Sequence, residues 1–569
     1  MTRWNRAVEP GLVRVAICQL NTVVGDPEGN AAQILAATRE ALTRGAELAL
    51  FPELAIPGYP PLDLLERRAF RDAVAQAETD LVARLPRGIT AVFGSLGRSP
   101  GPGTGITNGA VVAQTGQVRL RVAKTLLPTY DVFDEARYFD PAPPDQPASF
   151  EQGGRRFGVT ICEDIWNATE LATEGRRDPA LPDRTYRRDP VAELVRRERP
   201  HTLLNLSASP WSWGKEGTRQ RVASEMGRRH GIGTLYCNLV GGNDGLLFDG
   251  HSLAFDRQGH HCWTGPGWTP ACEVLDLDEL GEAETPTRQE VAEIRMALEL
   301  GIRDYFDKIG LGLAVIGLSG GIDSAVTAAL AVGALGPERV RTLAMPSPYS
   351  SEGSVQDALT LAKHLGVRCD VVRIDPMFQA FQTQLAPLFV GTEPDVTEEN
   401  LQSRIRGTLL MAMANKFGGV VLNTGNKAEA AMGYATLYGD AIGALSVLGD
   451  LYKHQVYELA EHLNRDSEII PRSSIEKPPS AELRPGQKDE DSLPPYPQLD
   501  AMLRAFLEHK EPPELIAAEA GVPIEEVRKV VQAVYRAEFK RKQLPPTLRV
   551  STKAWVGRRY PIVQRFVER

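Results

Sequence analysis

The sequence predicts an α/β protein of two domains, the second a doubly wound parallel sheet with helices on both faces. A chain of 569 residues exceeds the length of one ordinary domain. Short apolar runs alternate with helix-prone segments in both halves. A polar break at 281–287 (GEAETPT) separates the halves, so we expect domains at 1–280 and 288–569.

In the N-terminal half, short apolar runs typical of strands are joined by Gly- and Pro-rich turns. They span residues 13–20, 48–51, 91–94, 109–113, 119–122, 157–162, 203–206 and 234–238. Residues 31–44 have helical character. This pattern favours a layered α/β or α+β domain and leaves the strand order open.

The C-terminal half shows a βαβαβ rhythm after a helical pattern that begins at Gln289. Strands are expected at 313–318, 340–345, 371–374 and 419–422, and helices at 351–365 and 398–416. Such a sheet binds its ligands at the carboxyl ends of its strands. Residues 472–497 are rich in Pro, Ser and charge, which predicts a long loop, either a mobile lid or a linker. The tail at 498–569 is expected to be mostly helical.

Composition excludes several function classes. The formal charge of −9 (64 basic against 73 acidic residues) argues against a mainly nucleic-acid-binding protein. No apolar run approaches the roughly 20 residues that span a bilayer, and the first ten residues show no secretory signal. The six cysteines are scattered without a CxxC pair, which predicts reduced thiols and a cytoplasmic location.

The stretch GLSGGIDS at 317–324 is the strongest candidate for a binding site. A strand, a glycine turn and a helix N-terminus in this order form an anion site, because backbone N–H groups and the helix dipole favour negative charge. Gly320 and Gly321 allow the backbone to approach a phosphate closely.

Four interpretations of this stretch compete. A Walker A loop requires a Lys that is missing here. A nucleophile elbow fits G-x-S-x-G and would need a downstream histidine, for which His364 and His454 are available. In a loop that cradles pyrophosphate, the Ser319 and Ser324 hydroxyls and the backbone N–H groups from Gly320 to Ile322 would hold ATP phosphates, with Asp323 on Mg²⁺. The fourth interpretation is a plain structural turn.

Further motifs favour the pyrophosphate loop. The stretch at 317–324 resembles the SGGxDS loop of the ATP-pyrophosphatase group, which cleaves ATP between the α and β phosphates and adenylates a substrate. NTGNKAE (423–429), GYATLYGD (433–440), LYK (451–453) and PSAELRPGQKDED (479–491) are similar to partner motifs of NAD synthetases. The resemblance covers most of 298–542.

This resemblance implies roles for individual residues. Thr424 and Lys453 would bind ATP, and Asp323 and Glu429 would lie near Mg²⁺, with Glu429 also at the dinucleotide. Asn400 and Lys540 would contact deamido-NAD, although Lys540 alone fits a solvated helix face equally well. The loop implied to bind ATP consists of Gly317, Leu318, Ser319, Gly320, Gly321, Ile322, Asp323 and Ser324.

Three reactive residues follow predicted strands in the N-terminal half. They are Glu53 in FPEL, Lys124 in VAKTLLP and Cys162 in GVTICEDIW. Taken singly, such a cysteine is usually a small buried hydrophobe. The three in this order resemble the Glu-Lys-Cys triad of the nitrilase superfamily, an αββα sandwich that hydrolyses amides and nitriles. LPTYDVFDEARYF (127–139) and NLSASP (205–210) are similar to the glutaminases attached to NAD synthetases.

The resemblance implies a glutaminase. Cys162 would attack the carboxamide of glutamine, and Lys124 would lower the pKa of the thiol and stabilise the oxyanion. Glu53 would act as general base and acid. Glu135 would support Lys124, and the glutamine would be held by Tyr130, Ser209 and Lys215. The role of the neighbouring Trp-Ser-Trp at 211–213 stays open.

Together the two halves predict ATP-dependent amidation of deamido-NAD with ammonia released from glutamine. An adenylated intermediate, Mg²⁺, an enclosed ammonia route between the sites and a homo-oligomer are expected by resemblance, with no nucleic-acid or membrane partner. GMP synthetase normally carries a Cys-His-Glu glutaminase, and asparagine synthetase an N-terminal cysteine where this chain has Thr2. An amidase with a nucleotide-sensing domain, or a non-catalytic nucleotide-binding scaffold, would not need both Asp323 and Glu429.

Overall fold

The computed structural model describes residues 13–99, 101–167, 186–566 and 568. The chain divides into two compact units, Met1–Arg288 and Gln289–Arg569. The first ten residues, where the sequence shows no secretory signal, lie outside the described part. Among the described helices, none combines the length and the apolar character needed to cross a membrane.

The described strands of the first unit form two six-stranded sheets and a hairpin. They are β1 (Arg14–Gln19), β2 (Leu48–Leu50), β3 (Thr90–Arg98), β4 (Ile106–Gln114), β5 (Gln117–Ala123), β6 (Ser149–Gln152), β7 (Arg155–Ile161), β8 (Thr202–Ser207), β9 (Gly233–Asn238), β10 (Val240–Asn243), β11 (Leu246–Asp249), β12 (Leu253–Phe255), β13 (His261–Thr264) and β14 (Ala271–Asp276). The sheet orders are β14-β1-β2-β3-β4-β5 and β13-β12-β9-β8-β7-β6, and β10 pairs with β11. Each sheet has a parallel core, β1-β2-β3 or β7-β8-β9, with antiparallel strands outside it.

Helices cover the outer faces of the two sheets. They are α1 (Pro27–Thr43), α2 (Arg68–Arg84), α3 (Glu135–Tyr138), α4 (Pro190–Glu198) and α5 (Lys215–His230), with 3₁₀ turns at Leu62–Glu66 and Cys162–Ile165. Helix α1 begins where the Asp26 carboxylate accepts a hydrogen bond from Gly29 N, with Pro27 in the first turn.

Alternate residues of the central strands face different layers. In β1, Val15 and Ile17 pack into the core shared with the second sheet, whereas Ala16 and Cys18 pack with α1 and α2. A strand buried on both faces reads as a continuous apolar run, as the sequence of β1 does. The unit is therefore the αββα sandwich that the sequence led us to expect.

The described strands of the second unit form one parallel sheet. They are β15 (Ala314–Leu318), β16 (Val340–Ala344), β17 (Arg368–Val371), β18 (Val420–Asn423) and β19 (Leu445–Ser446), in the order β17-β16-β15-β18-β19. All neighbouring pairs run parallel. The order reverses between β15 and β18, and such a switch point opens a crevice at the carboxyl ends of the strands.

The described part of the second unit contains helices on both faces of this sheet and a C-terminal helical group that packs around Leu499 and Val530. They are α6 (Glu290–Lys308), α7 (Ile322–Leu335), α8 (Glu352–Leu365), α9 (Asp375–Leu385), α10 (Val396–Phe417), α11 (Lys427–Met432), α12 (Lys453–Leu463), α13 (Arg472–Glu476), α14 (Tyr496–Arg504), α15 (Pro513–Ala520), α16 (Ile524–Arg536) and α17 (Glu538–Arg541), with a π-helical turn at Ala505–His509 and 3₁₀ turns at Pro337–Arg339 and Asp489–Asp491. Helix α7 packs with α6 and α12, while α9 and α10 cover the opposite face around Phe378 and Ile405. The doubly wound fold is confirmed.

Two predicted segments differ from the structure. The strand expected at 371–374 was wrong, because the strand is β17, which ends at Val371. The apolar run instead turns inward, where Ile374 is buried and precedes α9. The loop expected at 472–497 contains α13 and a 3₁₀ turn, and α14 begins inside it at Tyr496.

Candidate active sites

In the first unit, one lysine lies between two carboxylates in a fully buried cluster. The Lys124 ammonium is 2.7 Å from Oε1 of Glu53 and 2.8 Å from a carboxylate oxygen of Glu135. Lys124 follows β5, Glu53 follows β2 and Glu135 begins α3, so three separate elements supply the cluster. A lone charge at such depth would be costly, and the pairing compensates for its burial.

Neutral donors complete the coordination of the two carboxylates. Asn108 Nδ2 is 2.7 Å from Glu53 Oε1 and 3.4 Å from Glu135 Oε2. The backbone N–H of Ala208 donates to Glu53 Oε2 at 3.0 Å, and the Tyr59 hydroxyl donates to Glu135 at 3.2 Å. The orientation of both carboxylates is thereby fixed before any substrate binds.

Cys162 lies at a sharp turn where β7 ends. Its φ of 42° falls in the left-handed region, which a non-glycine residue adopts at some cost in energy. Two side chains hold the turn. Asn205 Nδ2 donates to the Cys162 carbonyl at 3.4 Å, and Asp164 Oδ2 accepts from Ile161 N at 3.1 Å. The 3₁₀ turn that follows is thereby fixed to the strand end.

Opposing effects act on the pKa of the Cys162 thiol. Burial raises the pKa of the thiol well above its ordinary value, and the neighbouring Glu53 carboxylate raises it further. Lys124 does lower the pKa of Cys162, as expected, but its contribution is outweighed. Lys124 therefore acts in the expected direction, while the net pKa of the thiol in the resting protein is raised. The thiolate must form during the reaction, by transfer of its proton to a neighbouring base.

The two ionisable partners of Glu53 also have shifted pKa values. Burial raises the pKa of Glu135 to about 7, against the opposing effect of Lys124. Burial alone would lower the pKa of Lys124, but the charges of Glu135 and Glu53 hold it well above the ordinary value. Lys124 thus stays an ammonium throughout the neutral range.

A further carboxylate, Glu163, was missed by the sequence reasoning. It is buried beside Cys162 and accepts hydrogen bonds from the Tyr130 hydroxyl at 3.0 Å and the Tyr186 hydroxyl at 2.8 Å. The Lys215 ammonium, at the start of α5, faces the rings of Phe133 at 5.7 Å and Trp166 at 5.8 Å. The only sequence signal for Glu163 was its position directly after the cysteine.

Ser209 and the Trp-Ser-Trp segment lie over a buried polar network. Ser209 N donates to Asn238 Oδ1 at 3.0 Å, and Asn238 Nδ2 lies 3.2 Å from Asp249 Oδ1. The ring of Trp211 packs edge-on against Trp268, with centroids 5.0 Å apart. The segment at 211–213 therefore helps to hold the loop between Ser209 and α5.

The same network contains a cluster with metal-ligand residue types, formed by Glu216, Asp249 and His251. Arg219 forms an ion pair with Asp249, and Arg288 forms one with Glu216 at 2.9 Å. Guanidinium groups thus already neutralise both carboxylates. The cluster does not fit a divalent cation.

The second unit contains a cavity of about 840 Å³ at the carboxyl ends of β15 and β18. Residues that the sequence assigned to ATP, metal and deamido-NAD meet in its lining. These are Gly317, Leu318, Ser319, Gly321, Ile322, Asp323, Ser324, Asn400, Thr424, Glu429, Lys453 and Lys540. Gly320 is absent from the lining described. A cavity of this size accommodates a nucleotide.

The loop before α7 is preorganised by its serines. Ser319 Oγ and Ser324 Oγ are 3.2 Å apart, and Gly321 N donates to Ser319 Oγ at 3.1 Å. Gly320 has a φ of 78°, and a Cβ there would lie 2.2 Å from Ser354 O. Only glycine both adopts this positive φ readily and has no Cβ to collide with the Ser354 carbonyl. Gly320 therefore shapes the loop rather than the wall of the cavity.

Three charged residues meet at the floor of this cavity. Lys453 donates a hydrogen bond to Asp323 Oδ2, and Asn426 Nδ2 donates to Asp323 Oδ1 at 3.1 Å. Asn426 also caps α11, where its backbone N–H donates to Glu429 Oε2 at 3.1 Å. Burial and the nearby Asp323 raise the pKa of Glu429 to about 8. Two partly buried carboxylates with one ammonium leave this corner short of positive charge.

The other predicted contacts line the cavity nearby. Asn400 Oδ1 accepts a hydrogen bond from the Thr436 hydroxyl at 2.7 Å. Lys540 donates to the carbonyls of Gly433 at 2.7 Å and Ala435 at 2.9 Å, which holds the segment after α11. Lys540 is therefore anchored, unlike a lysine on a solvated helix face.

The structure also bears on the serine-elbow interpretation. His364 Nδ1 lies 3.0 Å from the Ile469 carbonyl, and His454 Nδ1 lies 2.9 Å from Asp500 Oδ2. Neither histidine belongs to the lining described for the cavity. The Ser319 hydroxyl hydrogen-bonds within its own loop instead. The pyrophosphate interpretation fits this arrangement and the elbow does not.

The polar segment at 472–497 forms part of the cavity wall. Its lining residues are Ser474, Lys477, Pro478, Pro479, Ser480, Ala481, Glu482, Leu483, Arg484, Gln487, Asp489 and Ser492. Glu482 accepts hydrogen bonds from Ser351 at 3.0 Å and Ser354 at 2.7 Å, which fixes the segment to α8. The segment therefore belongs to the site, as a lid would and a mere linker would not.

Comparisons with known proteins identify the families of both units. The family model described as carbon-nitrogen hydrolase matches residues 14–180, and the model described as NAD synthase matches 294–544. The fold and the two sites thus define a fusion of a carbon-nitrogen hydrolase with an NAD synthase. A relative from Synechocystis named glutamine-dependent NAD(+) synthetase is 44% identical, over 97% of this chain and 99% of the relative. One of the same name from Thermotoga maritima is 39% identical, over 98% and 99%.

Solved structures lead to the same family. The glutamine-dependent NAD+ synthetase of Acinetobacter baumannii, solved in complex with ADP, is 36% identical with a TM-score of 0.75, over 97% of this chain and 99% of that one. The synthetase from Cytophaga hutchinsonii, at 20% identity and a TM-score of 0.80, shows the same fold. The chain belongs to the family of glutamine-dependent NAD(+) synthetases.

Proposed function

We propose that this ligase amidates deamido-NAD to NAD at the expense of ATP, with ammonia released from L-glutamine. The observation that carries the proposal is the presence of two complete reactive groups on one chain. Cys162 lies with Glu53 and Lys124 in the first unit, and Asp323, Glu429 and Lys453 line the cavity of the second. We assign residues 1–280 to the glutaminase and 288–569 to the synthetase.

The first half-reaction is a thioester hydrolysis cycle. The Glu53 carboxylate takes the thiol proton, and the Cys162 sulfur attacks the carboxamide carbon of glutamine. The ammonium of Lys124 stabilises the oxyanion of the tetrahedral intermediate. Glu53 then gives its proton to the leaving nitrogen, and ammonia departs. Glu53 next deprotonates a water molecule, which attacks the thioester carbon, and glutamate leaves as the thiol is restored.

We assign the binding of the glutamine to groups around Cys162. The buried Glu163 carboxylate, with its tyrosine partners, suits the α-ammonium of an amino acid, and Lys215 suits the α-carboxylate. The Tyr130 hydroxyl donates a hydrogen bond to Glu163 and orients its carboxylate. Ser209 directly follows Ala208, whose backbone N–H donates a hydrogen bond to Glu53. Charges complementary to the α-ammonium and the α-carboxylate would favour glutamine over amides that lack these groups.

The second half-reaction converts a carboxylate into an amide. An oxygen of the nicotinate carboxylate attacks the α-phosphorus of ATP and expels pyrophosphate. Ammonia then attacks the acyl carbon of the adenylate, AMP leaves with the bonding electrons, and one proton is released. The loop from Gly317 to Ser324 and Lys453 hold the phosphates, Thr424 contacts ATP, and Asn400, Glu429 and Lys540 contact deamido-NAD.

The donor set at the floor of the cavity fits Mg²⁺. Asp323 and Glu429 offer the carboxylate oxygens that this cation prefers. The raised pKa of Glu429 reflects burial and uncompensated negative charge, which a divalent cation would relieve. When bound, the ion would neutralise phosphate charge and polarise the α-phosphorus.

We also propose a homo-oligomer, based on apolar surface of the second unit. Exposed apolar side chains occur in and around α9 and α10, among them Phe381, Leu388, Val390 and Met411. Surfaces of this kind commonly mark protein contacts. Sedimentation velocity would test this, and a monomer at micromolar concentration would contradict it.

Two further proposals concern the route of ammonia, which follows from the pairing of the domains, and the location of the protein. Ammonia must remain neutral to act as a nucleophile, so an enclosed route between the two active sites would preserve it. If ammonia scavengers in solution abolished glutamine-driven synthesis, that route would be refuted. The cysteines form no disulfide in the described part of the chain, which supports a cytoplasmic location.

Product analysis tests the main proposal. Purified protein receives ATP, deamido-NAD, Mg²⁺ and glutamine, and we expect equal amounts of NAD, glutamate, AMP and pyrophosphate. ADP and phosphate as products would contradict the adenylated intermediate. Glutamate release without NAD would favour an amidase with a nucleotide-sensing domain.

A further inference from the structure

One buried amide, that of Asn108, contacts three members of the glutaminase cluster. Its Nδ2 is 2.7 Å from Glu53 Oε1 and 3.4 Å from Glu135 Oε2. Its backbone carbonyl accepts a hydrogen bond from Lys124 N at 2.8 Å. Asn108 is the third residue of β4 and is fully buried. Its position is therefore set by the sheet rather than by the cluster.

We propose that Asn108 is a positioning residue, which orients the Glu53 carboxylate so that it can deprotonate Cys162. This inference rests on the proposed glutaminase function of the first unit. Asn108 acts through Glu53, since its amide bonds the same oxygen that accepts from Lys124. The remaining oxygen of Glu53 accepts from the Ala208 backbone. Together the three donors define the plane of the carboxylate.

The charges around Glu53 explain why a neutral donor is needed there. Lys124 is the one cation that touches Glu53 in the described structure, and Glu135 shares it. Glu163 and Asp164, both buried after β7, and the Cys162 thiol add groups that carry or acquire negative charge, and Tyr59 closes the cluster. The amide N–H groups of Asn108 direct positive ends of dipoles at two carboxylates and add no ionisable group.

The side-chain oxygen of Asn108 argues against a purely structural role for this residue. Asn108 Oδ1 is buried and has no hydrogen-bond partner among the described residues. A buried asparagine that serves only to join strands normally satisfies both its oxygen and its nitrogen. Asn30, which is equally buried in the same unit, does this: its Nδ2 donates to two backbone carbonyls and its Oδ1 accepts from Val23 N.

The test uses the full-length protein and two substitutions. Asn108→Asp keeps the shape and replaces the amide donors by a third carboxyl group. Asn108→Ser adds no ionisable group, and its hydroxyl is too short to take the place of the amide. Glutamine-driven NAD formation is measured from pH 5.5 to 9, with ammonium-driven synthesis as the control for the second site. Tryptophan fluorescence reports folding of the first unit, because six of the seven tryptophans precede Arg288. Asn30→Ser is the matched control.

We expect both Asn108 variants to lose roughly tenfold to hundredfold in glutamine-driven kcat, the effect of one hydrogen bond to a charged group. The KM for glutamine should change less than about threefold, because Asn108 acts on the base and not on the substrate. In the pH profile of kcat/KM, the acidic limb should shift to higher pH by about half to one unit, since the carboxylates lose the hydrogen bonds that stabilise their ionised form. Ammonium-driven synthesis should stay at the wild-type level.

Two results would overturn the proposal. One is a wild-type pH profile and kcat in a folded Asn108→Asp or Asn108→Ser variant. The other is an equal shift of the pH profile in Asn30→Ser, which would mean that any buried asparagine in this unit has the same effect. Two further measurements separate failure of this proposal from failure of the proposed function. If the wild type formed NAD from ammonium but not from glutamine, the glutaminase function itself would be wrong. If Cys162→Ala retained glutamine-driven synthesis, the assignment of Cys162 as the nucleophile would be wrong.

Discussion

The ammonium of Lys453 donates a hydrogen bond to Oδ2 of Asp323, which joins two residues 130 positions apart. Asp323 lies in the first turn of α7 and Lys453 begins α12, so two helix N-termini meet at the floor of the cavity. Burial would lower the pKa of Lys453, but Asp323 and Glu429 raise it overall. The pair holds a cation where a negatively charged phosphate is expected to bind.

Replacing Lys453 by methionine should lower ammonium-driven kcat/KM for ATP by about a hundredfold or more. The change removes a charge-assisted contact to phosphate and leaves Asp323 and Glu429 without their nearest cation. Initial-rate kinetics with saturating ammonium would measure this effect. Lys308→Met is the matched control, because Lys308 pairs with Asp304 at 3.3 Å on α6, and neither lines the described cavity. A similar loss in the control would contradict the assignment.

Replacing Gly320 by alanine should impair the phosphate loop through backbone strain. The residue has a positive φ, and a Cβ would lie 2.2 Å from the Ser354 carbonyl oxygen. We expect roughly 1–3 kcal/mol of strain and a tenfold or greater rise in KM for ATP. Gly366→Ala is the control for backbone strain without a steric clash, since Gly366 has a φ of 67° and open space around it. Equal kinetics for the two variants would refute this account.

The local parts of both sites could be predicted from the sequence, because each belongs to a continuous motif. The SGGxDS loop, NTGNKAE and the residues after β2, β5 and β7 combine strand ends with special turns. Such signals depend on neighbours in the chain. The αββα and doubly wound folds followed from the same patterns once their families were considered.

Other features could not be predicted, because they depend on contacts between distant segments. Asn108 and Glu163 acquire their roles only when β4 and β7 bring them to Glu53 and Tyr130. The pairing of β14 with β1 joins segments about 260 residues apart and has no local signal. The pKa of Cys162 rises because the site is buried, and burial depends on the assembled layers.

Replacing Lys124 by methionine should destabilise the first unit by about 3–5 kcal/mol, because Glu53 and Glu135 would remain buried without their cation. Urea unfolding followed by tryptophan fluorescence measures this loss. The triple variant Lys124→Met, Glu53→Gln, Glu135→Gln should recover much of the stability and none of the glutamine-driven activity. If the triple variant were less stable than Lys124→Met, the ion-pair account would be wrong.

Glu135 should make the stability of the first unit depend on pH. The pKa of Glu135 is raised from 4.5 to about 7 in the folded protein, mainly by burial. Its stabilising contribution is therefore complete below about pH 4.5 and is lost as the pH rises through about 7. Gln at this position does not titrate. Between pH 5 and pH 8, Glu135→Gln should gain about 1–3 kcal/mol relative to the wild type.

Urea midpoints of Glu135→Gln and of the wild type, each at pH 5 and pH 8, give the change in their stability difference between the two pH values. Any structural effect of the substitution that does not depend on pH cancels in this comparison. Glu151→Gln is the control, because Glu151 is exposed in β6 and pairs with Arg156 at the surface. A constant difference between Glu135→Gln and the wild type from pH 5 to pH 8 would contradict the raised pKa of Glu135.

The central claim is that two active sites share the work, one releasing ammonia and the other consuming it. The most direct measurement is NAD formation from ATP and deamido-NAD with either glutamine or ammonium, for wild type, Cys162→Ala and Asp323→Ala. Cys162→Ala should lose the glutamine-driven reaction and retain ammonium-driven synthesis near the wild-type rate, whereas Asp323→Ala should lose both. Glutamine-driven synthesis by Cys162→Ala, or ammonium-driven synthesis by Asp323→Ala at the wild-type rate, would contradict the account.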